Sequence, residues 1–533
     1  MRQITRWRGS LSWSVWSALA LALAIRLWFA WQPLPTLITR YNADDMYYYL
    51  TIARQILAGN GISFDGLAPT NGFHPLYLLL LVGLDALNPK GTQTNIYVAL
   101  TILCIANVAT ALVLYELVRR VTRRDTAFLA ALVWLFNPFV ILATLEGVET
   151  ALATLFFAST VLAYLVYQWE TNARARQHRV ILVGVLAGLL LLARMDGILL
   201  VFALGADWLW RAARKWKSTN ARGLLLEGCY GAAVCGALLL PWVAWNLVTF
   251  GTPNQVSGTA IAYTAHLGQT TLSASTSAIW NSINSLLSWV LVVNFQIVLL
   301  VLITGISWAV LRSRHKTNSF TVPSPRGLWV LALYTLLWLA FYGVYFLHRQ
   351  LWYLQPMMLV GTIVGVLLWE RAVALSATTV RAQRIWLISS CGLVFITFLG
   401  WWVTWDAFGL ALHPAQADGY RVALWLKDHT PPDARVGAWN SGIIAYFSER
   451  TVINLDGVVN NTLTRRVIAE GGTFALQDIW HQVRADDITF ITDYEQDVWQ
   501  NTTPIVQSSL KPVHQFASTV DPRFQVTLYQ VLP

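Results

Sequence analysis

The sequence predicts a polytopic α-helical membrane protein of about eleven transmembrane helices, followed by a small extracytoplasmic α/β domain at the C-terminus. Three observations predict it. Of 533 residues, 56% are hydrophobic and only 12% charged, with 27 tryptophans, a composition foreign to soluble globules. About eleven apolar runs of near-spanning length are separated by short basic clusters. After Asp406 the texture changes to charges, prolines and short alternating runs.

Arg2, Arg6 and Arg8 precede the first apolar run, 11–33, which has no small-residue cleavage site. It is expected to persist as a transmembrane helix with a cytoplasmic N-terminus, so the chain after Trp31 begins outside. Further spans are expected near 95–118, 127–144, 150–168, 180–195, 197–211, 223–250, 283–311, 327–347, 357–374 and 385–405. With that count the inside connections carry Arg119, Arg120, Arg123 and Arg124, then Arg174, Arg176 and Arg179, then Arg211, Arg214, Lys215, Lys217 and Arg222. The later inside connections carry Arg312, Arg314, Lys316 and Arg326, then Arg371, Arg381 and Arg384. The outside connections carry only Arg40, Arg54, Lys90, Arg194 and Arg349, the asymmetry of the positive-inside rule. Counting 75–87 as a full span would put Arg119 to Arg124 outside, so that run reads as interfacial or re-entrant.

The net charge of +10 is spread over these connections rather than gathered in one patch interleaved with aromatics, which argues against nucleic acid as a partner. Cys104, Cys229, Cys235 and Cys391 all lie in apolar runs and suggest packing residues rather than a disulfide framework. The division expected is a membrane domain over 1–410, with its first outer loop at 34–94, and an outer α/β domain over 416–533. In the latter, RVGAW (435–439), TVINLDG (451–457) and ITFIT (488–492) read as strands, and NSGIIAYF (440–447) as the start of a helix after a strand. No G-x-G-x-x-G fingerprint or P-loop supports a nucleotide site. Sequons at 460–462 and 501–503 matter only in a host that can use them.

The stretch YNADDMYYYLTIARQILAGNGISFDG (41–66) sets two adjacent carboxylates at the head of a helix that Gly59 closes. At 100° per residue, Met46, Tyr49, Leu50, Ala53, Ile56 and Leu57 gather on one side and Asp44, Tyr48, Thr51 and Gln55 on the other. The helix is expected to rest at the outer membrane surface with its polar side towards a water-filled cavity. Asp44 and Asp45 diverge by about 100°, so one catalytic carboxylate with one support fits better than a close acid and base pair. A helix N-terminus favours the ionised form, as a general base or metal ligand needs; the alternative is a plain helix cap.

This loop, with its G-N-G-I-S-F-D-G turn and T-N-G-F-H-P-L-Y (70–77), resembles the GT-C superfamily of integral membrane glycosyltransferases. Nearest are protein O-mannosyltransferase and aminoarabinose transferase relatives and DDX-type arabinofuranosyltransferases. LEGVETAL (145–152), LLARMDG (191–197), PWVAWNLVTFGTPNQVSG (241–258) and HRQLWYLQP (348–356) extend the resemblance through about residue 374. It implies an inverting, EC 2.4-class envelope-biosynthesis enzyme that moves a sugar from a polyprenyl-phosphate donor to a hydroxyl of a glycan, lipid or protein at the outer face of the cell membrane. It further implies Asp44 as the base, with Asp45 as second choice. Because a lipid phosphate is already a stable leaving group, the site needs cations rather than a strong acid. Arg194 and Arg349 follow long apolar runs at their outside ends and Arg54 lies on the loop helix itself; all three are suited to phosphate by their planar fork, with snorkelling as the plain alternative, and Tyr353 is a further candidate there.

Other site candidates are His74, Asn71, Glu149 and Asp196, together with Arg26 inside the first span, where a charge is costly unless it faces a cavity or partner. Each has a plain structural reading: His74 as a hydrogen-bonder, Asp196 as a cap or a hold on Arg194, and Glu149, with Glu146, as a solvated helix start. A divalent cation on Asp44, Asp45 and His74 is conceivable, but the spacing forms no tight motif, and no cofactor is assigned. The alternative function is a transporter or flippase of lipid-linked sugars or polyisoprenoids. Against it stand the absence of a hydropathy repeat and of paired broken helices, and polar chemistry gathered on one membrane face rather than at the midplane. A scaffold displaying the outer domain would leave the Asp pair without a purpose.

Overall fold

A computed structural model describes residues 12–89, 91–215, 220–267, 272–311, 328–377, 379–494, 498, 502–518 and 525–533. Among the topology signals, Arg2, Arg6, Arg8, Lys90, Lys217, Arg312, Arg314, Lys316 and Arg326 lie outside the described residues, as does Asn501 of the second sequon.

The chain opens with α1 (Trp13–Ala30), then the outer-loop helices α2 (Leu34–Arg40), α3 (Asp44–Leu57) and α4 (Pro75–Leu87). The membrane helices continue as α5 (Thr92–Arg119), α6 (Arg124–Leu135), α7 (Pro138–Leu145), α8 (Thr150–Trp169), α9 (Ala173–Ala193), α10 (Ile198–Arg214) and α11 (Asn220–Phe250). After α12 (Val256–His266) come α13 (Leu272–Val293), α14 (Phe295–Leu311), α15 (Trp329–Ala340), α16 (Gln355–Ser376) and α17 (Val380–Ala407). Among the described residues, nine helices are long and apolar enough to cross a membrane, ten if the bent pair α6 and α7 is one span. The eleventh expected span is α10, whose 17 residues reach about 25 Å at 1.5 Å each, short of a typical hydrocarbon core. With 13 residues, α4 is shorter still, in keeping with its exclusion from the spans.

Two expected spans are broken. The run 127–144 bends by 49° between α6 and α7, where Pro138 cannot donate to the ladder and Asn137 caps α7 by accepting from the Phe139 and Val140 amides. The run 283–311, expected as one helix, is two helices meeting at Asn294, the first reaching back to Leu272. Asn294 Nδ2 donates to the Val290 carbonyl, a local bond that competes with the ladder. The breaks satisfy each other: Asn137 Nδ2 donates to the Val293 carbonyl (2.7 Å) and Gln296 Nε2 to the Phe136 carbonyl (3.1 Å). Backbone groups freed at membrane depth persist only where such partners exist.

The C-terminal domain, named the outer domain for the side on which the sequence expects it, comprises α18 (Gln416–His429), β1 (Arg435–Ala438), α19 (Gly442–Ser448), β2 (Thr451–Asn454), α20 (Asn461–Glu470), α21 (Leu476–Ala485), β3 (Phe490–Tyr494), β4 (Leu510–Ala517) and β5 (Gln525–Val531). Its sheet runs β2-β1-β3-β5-β4, with β1 parallel to β2 and β3, and β5 antiparallel to β3 and β4. The three expected strands and the helix after β1 are present; β4 and β5 are additions. One apolar core runs from the membrane helices through α3 into α18 and α19, including Leu50, Val422, Ile443 and Phe447.

That continuity corrects the picture of α3 as a helix resting on the membrane surface, although Asp44 and Tyr48 of its polar side do line a cavity. Residues Met46 to Ala53 are all buried: Tyr49 packs edge-on against Tyr77 of α4, and Tyr47 meets Tyr446 and Phe447 of α19. Even Thr51, assigned to the polar side, has its hydroxyl buried without a hydrogen-bond partner. Periodicity within one segment cannot reveal that a distant domain covers its polar side.

Candidate active site

The start of α3 is fixed from outside itself. Ala43 is the N-cap residue and offers no side-chain cap, so neighbours hold the entry: the Ala43 amide donates to the Glu146 carbonyl (2.9 Å) and Asn42 Nδ2 to the Leu145 carbonyl (2.7 Å). This brings the two aspartates to the turn between α7 and α8, beside a cavity of about 720 Å³ lined by ends of membrane helices and by the outer domain.

The aspartates are not equivalent. Asp44 Oδ2 accepts from the Gly442 amide (2.9 Å) and Oδ1 from the Ile443 amide (2.8 Å), so both oxygens are committed to the first turn of α19. Burial raises its carboxyl above the usual range while those amide bonds oppose the rise. Asp45 lines the cavity and makes no hydrogen bond or ion pair with any described residue. Burial, then the negative charges of Asp44, Glu149, Asp456 and Glu146, push its carboxyl up to about 8. The pair thus holds one latched carboxylate and one carboxyl without a protein partner that titrates near neutrality.

The same cavity holds an ion-pair chain. Arg194, between α9 and α10, grips Asp196 with two nitrogens (3.0 and 3.2 Å) and Glu149 with a third (2.6 Å). Three of the five N–H donors of its guanidinium are so used, leaving two. Tyr49 donates to Glu149 (2.8 Å) and Tyr342 to Asp196 (2.5 Å). Although burial opposes it, Arg194 holds the Asp196 carboxyl below its usual range. Arg194 also sits 5.1 Å from the Tyr353 ring centroid. His74 completes this side, with Nε2 3.6 Å from Glu149 and Nδ1 3.1 Å from the Gln255 amide nitrogen; burial pushes it below its usual range, towards the neutral imidazole.

Of the sequence candidates, Asp44, Asp45, His74, Glu149, Arg194, Asp196 and Tyr353 therefore share one cavity. Four others do not line it. Arg54 donates to the Tyr446 carbonyl (2.8 Å) and to Thr92 (3.2 Å), with its guanidinium 3.6 Å over the Tyr446 ring, so it docks the outer domain. Arg26, fully buried, donates to Asn107 and to the Leu135 and Ala22 carbonyls, a partner within the helix core rather than a ligand site. Asn71 bridges Asn246, Asn254, Val256 and Asn461. Arg349 is exposed, although its neighbours His348 and Gln350 line the cavity. Glu146 is not a solvated helix start either: it is buried behind the site, 3.7 Å from His413, and burial pushes its carboxyl up to about 7. Among the described residues no three His, Cys, Asp or Glu side chains form a metal-ligand group; Asp44, Asp45 and His74 are not brought together as one.

Sequence reasoning missed the contribution of the outer domain. Asn440, Asp456 and Val458 line the cavity. Asp456 accepts from the Val458 amide (3.0 Å), and burial pushes its carboxyl up to about 7. A signal was available: Asn440 and Asp456 follow the carboxyl ends of two adjacent parallel strands, where open α/β sheets place their ligands.

A family model described as dolichyl-phosphate-mannose-protein mannosyltransferase matches residues 90–245, and one described as a domain of unknown function matches residues 408–529. No curated protein matches the chain. The crystal structure of ArnT from Cupriavidus metallidurans bound to undecaprenyl phosphate is similar at 12% identity over 97% of this chain and 98% of that one, with a TM-score of 0.61. The oligosaccharyltransferase of Archaeoglobus fulgidus in its apo form is similar at 13% identity over 90% and 70% (TM-score 0.56). The archaeal oligosaccharyltransferase AglB from the same organism, in complex with an inhibitory peptide and a dolichol-phosphate, is similar at 14% over 96% and 74% (TM-score 0.53). The chain has the fold of these proteins, the GT-C fold that the resemblance implies.

Proposed function

We propose that this GT-C-fold membrane protein is an inverting glycosyltransferase that moves a sugar from a polyprenyl-phosphate donor to an acceptor hydroxyl at the outer face of the membrane. The observation that carries the proposal is the joint presence, in one cavity at the ends of the membrane helices, of a carboxyl without a protein partner, Asp45, and an arginine with donors to spare, Arg194. The undecaprenyl phosphate in the ArnT structure and the dolichol-phosphate in the AglB structure support a lipid-phosphate donor.

Asp45, rather than Asp44, is the base. A base must have an oxygen free to receive the proton within hydrogen-bond reach, and both Asp44 oxygens accept from backbone amides. In the transfer, Asp45 takes the proton of the acceptor hydroxyl and the acceptor oxygen bonds to the anomeric carbon from the face opposite the phosphate. The bond from that carbon to the phosphate oxygen breaks, and its electron pair leaves on the lipid phosphate. The two remaining N–H donors of Arg194 meet the developing phosphate charge, where fixed donors act most strongly because they need no reorganisation. Tyr353 and Glu149 hold that guanidinium in place.

The test is transfer by purified protein in nanodiscs from a panel of radiolabelled polyprenyl-phosphate sugars to lipid, glycan and peptide acceptors. Asp45→Asn is expected to lower kcat by roughly 10²–10⁴-fold, the usual contribution of a general base, with a thermal melt no lower than that of wild type. Asp44→Asn is expected to cost less. Equal transfer by Asp45→Asn and wild type overturns the assignment of the base; labelled lipid crossing sealed vesicles with no donor consumed overturns the enzyme.

A further inference from the structure

The family model that matches the outer domain carries no function, yet the domain lines the same cavity as Arg194. Its seat is closely built. A Cβ on Gly442 would lie 2.4 Å from the Asp44 carbonyl oxygen, and one on Gly72 would lie 2.1 Å from the Val458 carbonyl oxygen, so both junctions admit only glycine. Asp44 on the α19 amides, Arg54 on Tyr446 and Asn71 on Asn461 (2.8 Å) fasten it at three further points. The segments from the ends of β1 and β2 are thereby held against the first outer loop, with Asn440 and Asp456 in the same cavity as Asp45. Asp456, like Asp45, forms no ion pair among the described residues.

We infer that Asp456, with Asn440, is the subsite for a non-reacting hydroxyl of a sugar acceptor, so that the outer domain supplies half of the acceptor site. The inference rests on the glycosyl-transfer reading for the role of Asp45. A lipid-phosphate donor brings its charge to Arg194 from the membrane side. The residues that the outer domain lends to the cavity, Asn440, Asp456 and Val458, offer carboxyl and amide groups without a cation. Carboxylates without a cationic partner accept hydroxyl protons in short, strong bonds, and an amide both donates and accepts. A polyhydroxylated ring suits that pair: one hydroxyl reaches Asp45 to react while a neighbouring one is held by Asp456. A single side-chain hydroxyl on a peptide would use only the first. Asp456 is a positioning residue, acting on where the acceptor sits rather than on the proton transferred.

The experiment uses the full chain in nanodiscs with radiolabelled polyprenyl-phosphate sugars, a panel of octyl glycosides and a threonine-containing peptide as acceptors, and Asp456→Ala and Asp456→Asn variants checked by thermal melt. Binding of the same glycosides is read separately by saturation-transfer NMR. The expected result is an acceptor KM raised about tenfold or more in Asp456→Ala, partly recovered in Asp456→Asn, with the donor KM changed less than twofold. Donor and acceptor KM rising together would mark a structural role and overturn the inference, as would unchanged glycoside kinetics, transfer to the peptide alone, or no glycoside either bound or used by the wild type. If glycosides bind without transfer, and Asp456→Ala loses that binding, the subsite stands while the transferase reading falls.

Discussion

Asp45 carries a cost that the base role proposed for it would explain. Its carboxyl titrates at about 8 in the folded protein, against an ordinary value of 3.8. The folded state therefore binds the proton more tightly than the unfolded one, and stability falls as pH rises through the window between those two values. Asp45→Asn removes a charge that is poorly accommodated above that window, so the variant is expected to melt at a higher temperature than wild type at pH 8.5 and to lose that advantage at pH 4; a melt that drops at both pH values overturns this reading. The active form of a base is the deprotonated one. Hence kcat/KM in wild type should rise with pH about tenfold per unit below pH 7 and level off above about 8, and a profile flat from pH 5.5 to 9 would remove Asp45 from the proton transfer. The sequence showed the two aspartates side by side, but the partners that divide their roles, Gly442 and Ile443, lie 398 and 399 residues away. The docking role of Arg54 is hidden from the sequence for the same reason: its carbonyl partner is 392 residues on.

At the scale of elements, the long apolar runs translate directly into helices, because a segment that must satisfy its own backbone groups in hydrocarbon has no other regular option. What the runs conceal is where helices break. FNPF (136–139) and VVNF (292–295) are only short interruptions in otherwise apolar sequence, and each freed carbonyl finds its donor on the other segment. Asn137→Leu removes the cap of α7 and leaves the Val293 carbonyl without its side-chain donor, an expected loss of about 1–3 kcal/mol seen as a lowered melting temperature in detergent. If the two breaks are independent, Asn137→Leu and Gln296→Leu should add; mutual support predicts that the double variant loses less than the sum of the singles. In the outer domain, β1 to β3 were legible from their alternation, whereas β4, an edge strand with Pro512 and five consecutive exposed residues, has a polar texture that patterning reads as loop.

At the scale of the whole molecule, the membrane region and the outer domain share one apolar core, with α3 packed between them. A cavity whose walls come from two domains exists only while they stay docked, and docking here joins that core to a set of polar contacts. Arg54 is the contact best separated from the chemistry, since it does not line the cavity while it binds the Tyr446 carbonyl, stacks on the Tyr446 ring and reaches Thr92 at the head of α5. Arg54→Ala is expected to loosen the domain without altering a group that touches substrate. Limited proteolysis should then cut faster between residues 408 and 416. Sugar transfer should fall about tenfold or more, as the walls bearing Asp45 and Asp456 separate for part of the time. Arg54→Lys keeps the charge but lacks the planar guanidinium that stacks and forks, so it should recover only part of both effects. Faster cleavage with full transfer would mean that the outer domain merely rests on the site; slower transfer with unchanged cleavage would mean that Arg54 acts on the cavity by some route other than docking.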